Sequence, residues 1–139
     1  MKSLQIIFLS VSGLLLVTIG GTILLVPHAF YASDGIMLGH DPSLLSEIRA
    51  PGGLLVASGL FILTGVFRST VRSLALMLTV LVYGSFGLSR LVGFFLDGMP
   101  SNSLVIATAV ELFVAGMGLV MLSRQPSVQP YPPNLDLHR

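Results

Sequence analysis

Four long apolar segments, joined by short polar connections, constrain the fold of this chain more than any other feature of its sequence. Each segment has about the 20 residues that an α-helix, rising about 1.5 Å per residue, needs to cross a hydrocarbon layer about 30 Å thick. Of the 139 residues, 53% are hydrophobic and only 9% are charged, whereas about a quarter of the residues of a soluble domain are charged. The chain is therefore predicted to be an all-α membrane protein with a four-helix transmembrane bundle.

One domain, residues 1–123, is expected to hold all four helices. Their predicted bounds are about 4–26, 44–67, 73–96 and 103–122. A cleaved signal peptide is the alternative for the first segment, but the segment exceeds the usual hydrophobic region of about 7 to 15 residues and lacks a small-residue cleavage site, so we expect it to be retained. Residues 124–139 are rich in proline and are predicted to form a disordered tail.

Two prolines shape the prediction for the second helix. Asp41 followed by Pro42 is typical of an N-cap and a first helical residue. The apolar run after Pro51 is short for a full span, so we expect the helix to begin before Pro51 and to bend there. A separate short helix along the membrane surface is the alternative. The preceding connection, residues 27–40, contains aromatic residues that suit a membrane interface.

Cations are unevenly distributed between the two ends of the predicted bundle. One end collects Lys2, Arg68, Arg72, Arg124 and Arg139. The connections at the other end contain Arg49 alone. Because cytoplasmic connections of membrane proteins carry an excess of lysine and arginine, both termini are predicted to be cytoplasmic.

An arginine and a glutamate interrupt two adjacent apolar segments. Arg90 lies in the third and Glu111 in the fourth, on either side of the turn that contains Asp97. A charged side chain at the centre of a membrane helix costs about 2.5 to 3.5 kcal/mol on insertion scales. Both lie at a similar distance from the turn, so we expect them to form a pair on the outer side of the membrane. Tyr83 shares a helical face with Arg90 and is a candidate hydrogen-bond donor to the same centre.

Further charges are predicted on the outer side of the bundle. Glu47 and Arg49 stand near the start of the second helix, although their spacing places them on different helical faces. The candidate cluster, either structural or ligand-binding, is therefore Glu47, Arg49, Tyr83, Arg90, Asp97 and Glu111. The structural alternative is an Arg90–Glu111 pair that only holds two helices in register.

Several classes of function find no support in the sequence. The chain has no cysteine, which excludes disulfides and thiolate metal sites. No serine has a histidine base at a plausible depth, and no glycine-rich loop with a lysine indicates a nucleotide site. A net charge of +1 does not indicate nucleic-acid binding. We predict no catalytic residue, no metal and no cofactor, so an enzyme is the less favoured interpretation.

The motifs Glu47-x-Arg49-x-x-Gly52-Gly53, Tyr83-x-x-x-Gly87-x-x-Arg90 and Asp97-Gly98-x-Pro100, together with Glu111, resemble a family of small bacterial four-helix membrane proteins described as a domain of unknown function. The resemblance covers residues 4–122. More distantly, the layout is similar to that of DoxX-type membrane proteins, some of which are accessory subunits of redox systems. The resemblance implies a location in the bacterial inner membrane and supplies no activity.

Three functional hypotheses follow. The first is a non-catalytic membrane subunit or assembly factor that packs against a larger membrane complex. The second is a binding protein for a lipid or other amphiphile, in which Arg90 holds an anionic head group. The third is a proton-coupled carrier or membrane enzyme that uses Glu111 as its titrating group. The lipid bilayer is the expected surrounding, and a homo-oligomer is compatible with the sequence.

Overall fold

The computed structural model describes residues 2–124, which form helices and connections without a strand. The helices are α1 (Lys2–Leu25), α2 (Pro27–Ala32), α3 (Pro42–Phe67), α4 (Arg72–Asp97) and α5 (Asn102–Ser123), with a 3₁₀ turn at Ser69–Val71. Four of them, α1, α3, α4 and α5, are long and apolar enough to cross a membrane. The predicted all-α fold with four membrane-length helices is confirmed. Apart from Arg124, the predicted tail lies outside the described residues.

Helix α3 begins at the predicted cap and runs through its internal proline. The Asp41 side chain accepts a hydrogen bond of 2.9 Å from the backbone N–H of Leu44, and Pro42 is the first helical residue. The helix continues through Pro51 to Phe67, so the residues on both sides of that proline belong to a single element. The separate surface helix weighed as an alternative does not form at this point.

A short helix that the sequence analysis did not predict follows α1. Helix α2 begins at Pro27, which suits a first helical position because that position needs no N–H donor. It is followed by Gly35, which has a φ of 78° and reverses the chain direction. The connection between α1 and α3 is therefore partly helical and folds back over the end of the bundle.

The four long helices pack in the order α1, α3, α4, α5. The most extensive interfaces are those of α1 with α3 and of α4 with α5, and α3 joins the two pairs by packing on α4. By contrast, α1 and α5 have little direct contact. The bundle therefore consists of two helix pairs, with one side, between α1 and α5, loosely closed.

Acidic and basic residues concentrate at opposite ends of the bundle. At one end, here called the acidic end, lie Asp34, Asp41, Glu47 and Asp97. Arg49 is an exception, because it also lies at the acidic end, where it binds the C-terminus of α1. At the opposite end, here called the basic end, lie Lys2, Arg68, Arg72 and Arg124. Arg72 fixes the turn at that end because its Nε donates to the carbonyl of Gly65 at 3.1 Å.

Candidate functional site

Arg90 of α4 and Glu111 of α5 form an ion pair within the half of the bundle nearer the acidic end. Arg90 Nε lies 3.2 Å from Glu111 Oε2 and donates a hydrogen bond of 3.3 Å to Oε1. The two side chains are 32% and 15% exposed. Gly87, one turn before Arg90, makes this approach possible, since a Cβ there would lie 2.8 Å from Cδ2 of Leu112 and 3.4 Å from Cβ of Glu111. The predicted pairing of these two residues is confirmed.

The ion pair leaves hydrogen-bonding groups unused. Within residues 2–124, Arg90 donates only through Nε, so Nη1 and Nη2 have no hydrogen-bond acceptor. Oε2 of Glu111 is buried and lies at ion-pair distance from Nε, but the single Nε–H is directed at Oε1, so Oε2 accepts no hydrogen bond from the described residues. Four N–H donors and one carboxylate acceptor therefore remain free.

Arg90 and Glu111 both line a cavity of about 500 Å³. Its walls are mostly aliphatic or aromatic side chains, contributed by every helix of the described chain. The lining residues are Leu15, Leu16, Ile19, Ile23, Phe30, Tyr31, Ser33, Asp34, Ile36, Pro51, Leu55, Val82, Tyr83, Phe86, Arg90, Ser103, Leu104, Ala107, Val110 and Glu111. An apolar cavity of this size with a few polar groups at one place is typical of a small-molecule site.

The cavity lies in the loosely closed side of the bundle, between α1 and α5. Leu15 and Ile19 on one wall are 39% and 38% exposed, and Val110 on the opposite wall is 44% exposed. Towards the basic end the gap closes, because Phe8 is buried and its Cζ would lie 3.7 Å from a Cβ at Gly118. The cavity is therefore open sideways, towards what would be acyl chains in a membrane.

Tyr83 of α4 also lines the cavity. Its hydroxyl donates a hydrogen bond of 2.7 Å to the backbone carbonyl of Ser12 in α1, and both residues are buried. Tyr83 thus shares the cavity with the ion pair but binds α1 instead of donating to the charges. This hydrogen bond joins helices of different pairs, so it holds α4 to α1 next to the cavity.

Helix α2 and the residues after it cover the cavity at the acidic end. Asp34 accepts a short hydrogen bond from the hydroxyl of Ser103, in the first turn of α5. Phe30 and Tyr31 pack edge to face, with ring centroids 5.4 Å apart, and both line the cavity. Sequence analysis missed this cover, although Pro27 followed by a short run without glycine is a signal for a helix.

The remaining predicted site residues lie elsewhere. Arg49 is exposed, and its Nε donates at 3.1 Å to the carbonyl of Leu24, where it caps the C-terminus of α1. Glu47 and Asp97 are exposed at the acidic end and do not line the cavity. The group that the structure brings together is thus smaller than the predicted cluster, because Arg49 instead binds the end of α1.

Two histidines lie together in the connection between α1 and α3. The rings of His28 and His40 stack with centroids 4.9 Å apart, and Nε2 of His28 is 3.2 Å from the carbonyl of Gly39. Within the part of the chain that the structure describes, no three of its histidines and carboxylates group as metal ligands would.

A comparison with known protein families matches the part of the chain that contains the cavity. Residues 4–122 match the family described as a domain of unknown function, DUF4345. The chain belongs to the DUF4345 family. The match begins in α1 and ends in α5, so it includes every residue that lines the cavity. No curated protein and no solved structure matches the chain.

Proposed function

We propose that this DUF4345 protein binds a membrane amphiphile, whose polar group is held by Arg90 and whose apolar part occupies the cavity between α1 and α5. The proposal is carried by one observation: an apolar cavity of about 500 Å³ contains an arginine that has two terminal nitrogens without an acceptor among the described residues. Unpaired donors next to an apolar cavity favour a ligand that has an acceptor at one end and hydrocarbon elsewhere.

The position of the cavity supports a ligand that comes from the bilayer. Its walls at Leu15, Ile19 and Val110 are partly exposed on the side of the bundle, where a membrane would place acyl chains. The end of the cavity near Ser103 is covered by α2 and the Asp34 hydrogen bond. An amphiphile can therefore enter sideways without leaving the apolar phase.

We propose further that the protein lies in a bacterial inner membrane with both termini in the cytoplasm. Support comes from the basic end, where Lys2, Arg68, Arg72 and Arg124 cluster as the positive-inside rule expects of a cytoplasmic face. The cavity would then open to the outer leaflet. The chain has no cysteine, so single cysteines introduced as Ser69→Cys and Ser101→Cys can be labelled with a membrane-impermeant maleimide. We expect label added outside the cell to react with Ser101→Cys alone. Reaction with Ser69→Cys alone would show the opposite orientation.

The binding proposal is tested by the lipids that copurify with the protein. The full chain is purified in mild detergent, and its bound lipids are measured by native mass spectrometry for wild type and Arg90→Ala. We expect at least about a tenfold loss of the bound amphiphile in the variant, because a charge-assisted hydrogen bond contributes about 1.5 to 3 kcal/mol. Arg68→Ala is the matched control, since Arg68 is an exposed arginine at the basic end.

The alternatives are separated by the same samples. Equal retention by wild type and Arg90→Ala would contradict binding through Arg90. Loss of the amphiphile from the wild type and both variants alike would point to detergent delipidation instead of the site. Reconstitution into nanodiscs of defined lipid then repeats the comparison without that step. Circular dichroism of each variant checks that the helices remain folded.

A non-catalytic subunit of a larger membrane complex remains compatible with this proposal, because a protein that binds an amphiphile can also deliver or hold it for a partner. The exposed apolar faces of α1, α3, α4 and α5 serve contact with lipid as well as contact with a partner. Purification in mild detergent that returns this chain alone, at several expression levels, would count against the subunit hypothesis.

A further inference from the structure

A second groove lies between α1 and α5, nearer the basic end, and has a volume of about 160 Å³. Its lining residues are Leu4, Gln5, Met117, Val120, Met121 and Arg124. None of them lines the larger cavity, and Phe8 lies between the two along α1. The loosely closed side of the bundle thus has two separate hollows, here called the cavity and the basic-end groove.

The walls of the basic-end groove are apolar and partly exposed on the side of the bundle. Leu4 of α1 is 55% exposed and Val120 of α5 is 49% exposed, whereas Met121 is buried. In a membrane this surface meets acyl chains. Because α1 and α5 have little direct contact, a hydrocarbon chain in the groove would fill space that the two helices leave open and gain dispersion contacts with both.

The charged residue of the groove is a cation with no carboxylate of residues 2–124 at the same end of the bundle. Arg124 is exposed and caps the C-terminus of α5, and Lys2 begins α1 at the same end. The carboxylates of the described residues all lie in the half of the bundle nearer the acidic end, and they are Asp34, Asp41, Glu47, Asp97 and Glu111. The field at the basic end therefore favours an anion.

We propose that the basic-end groove binds an anionic phospholipid, whose phosphate contacts Arg124 and one of whose acyl chains lies between Leu4 and Val120. The forked N–H donors of an arginine match the geometry of a phosphate group. Basic pockets between transmembrane helices on the cytoplasmic side are typical sites for anionic head groups. The site is distinct from the cavity at Arg90 and does not depend on amphiphile binding there.

The bound lipid would also have a structural effect. It would contact both α1 and α5, the two long helices that have little direct contact with each other. A ligand that binds the folded state and not the unfolded state raises the free energy of unfolding. We therefore expect an anionic phospholipid to raise the midpoint of thermal unfolding of this protein in detergent.

The test compares two phospholipids that share their acyl chains and their phosphate. Dioleoylphosphatidylglycerol is anionic, whereas the choline of dioleoylphosphatidylcholine compensates the phosphate charge. The full chain in an uncharged detergent is incubated with an equimolar mixture, and native mass spectrometry measures the ratio of the two complexes. For the wild type we expect the phosphatidylglycerol complex to be favoured about fivefold, as is typical of one arginine near an anionic lipid surface. Equal amounts of the two complexes would overturn the proposal.

The role of Arg124 is tested by Arg124→Gln, which removes the charge and keeps a polar side chain. We expect most of the preference for phosphatidylglycerol to be lost. Arg68→Gln is the matched control, because it removes the same charge from an exposed residue at the same end that does not line the groove. Its ratio should equal that of the wild type. An equal loss in both variants would show a general attraction between the basic end and anionic lipid instead of a site.

The position of the acyl chain is tested by Val120→Phe, which enlarges a side chain on the wall of the groove. We expect this variant to bind less of both phospholipids. Leu119→Phe is its control, since Leu119 is 56% exposed and does not line the groove. Binding by Val120→Phe equal to that of the wild type would contradict an acyl chain at this place. Thermal unfolding of each variant without added lipid checks that it is folded.

Two further outcomes would assign the groove to another occupant. Inorganic phosphate that raises the midpoint of thermal unfolding as much as phosphatidylglycerol does would show a site for a free anion. A dimer in the mass spectra that Arg124→Gln abolishes would assign the groove to a second copy of the chain. Either result would overturn the phospholipid site and would leave the proposed binding at Arg90 unaffected.

Discussion

The two major helix interfaces of this protein are built in opposite ways. Between α1 and α3, glycines oppose each other in two reciprocal pairs, Gly13 with Gly59 and, two turns along, Gly20 with Gly52. Between α4 and α5, the contact includes the ion pair of Arg90 and Glu111. In a bilayer no hydrophobic force draws helices together, so close van der Waals packing and polar contacts are the two means available.

The difference assigns separate roles to the two pairs. The α1–α3 interface has no room for any added atom at its glycines, so it forms a rigid support for one wall of the cavity. The α4–α5 interface holds an ion pair whose hydrogen bonds are only partly satisfied within residues 2–124, and both of its residues line the cavity. We infer that the first interface mainly provides stability and the second mainly provides the binding chemistry.

The largest loss of stability is expected when a side chain is added at a glycine of the α1–α3 interface. In Gly20→Ala, the new Cβ would lie 2.6 Å from the carbonyl oxygen of Gly52 and 2.7 Å from Cβ of Leu55, so the two backbones have to move apart. Overpacking of this kind typically costs about 1 to 3 kcal/mol. We expect a corresponding fall in the midpoint of thermal unfolding, measured in detergent by circular dichroism.

The adjacent glycine supplies the control for that experiment. A Cβ at Gly21 meets no atom within 4 Å, and alanine favours a helix over glycine by about 0.5 to 1 kcal/mol. Gly21→Ala should therefore leave the midpoint unchanged or slightly raised. A fall of equal size in both variants would show that helix approach at Gly20 is not the cause.

A smaller loss of stability is expected when the ion pair between α4 and α5 is removed. A double-mutant cycle measures the energy of the interaction between its two residues. Arg90→Met and Glu111→Gln should each destabilise the protein, and the double variant should be less destabilised than the sum, because neither charge is then left unpaired. Polar contacts between membrane helices average about 0.6 kcal/mol, with a maximum of about 1.7 kcal/mol. The coupling energy is calculated from the unfolding free energies of the wild type and the three variants. A value near zero would show that the ion pair does not contribute to stability.

The smallest loss of stability is expected when the hydrogen bond between the two helix pairs is removed. Tyr83→Phe removes the hydrogen bond to the carbonyl of Ser12, while that carbonyl remains within α1. The loss of unfolding free energy should be no more than about 0.6 kcal/mol, the average for a polar contact between membrane helices. A change in amphiphile binding should accompany it, because Tyr83 lines the cavity. Tyr31→Phe is the control for the change in stability alone, since the Tyr31 hydroxyl makes no hydrogen bond within residues 2–124 but Tyr31 lines the cavity. Equal shifts in both variants would contradict a role for the Ser12 contact.

The sequence by itself determined the class of fold and the place of its charges. Four apolar segments could satisfy their backbone groups in a membrane only as helices, and Arg90 and Glu111 could be matched because their insertion costs favour a shared location. The cap at Asp41 was also readable, since an N-cap depends on neighbours within one turn. The cap is a local feature. The pairing follows from depth in the membrane, and the position of a residue along its helix predicts that depth.

Only the tertiary structure decided what surrounds the pair. Three contacts depend on segments that are distant in the chain. Tyr83 binds a carbonyl of α1, Asp34 accepts from Ser103 of α5, and Arg49 of α3 caps the end of α1. Helices α1, α3 and α5 are apolar on nearly all sides and have no distinct hydrophobic face to fix their rotation, so side-chain periodicity does not predict which face meets which neighbour. The cavity lies where α1 and α5 have little direct contact, and that gap is a property of how the two helix pairs pack together.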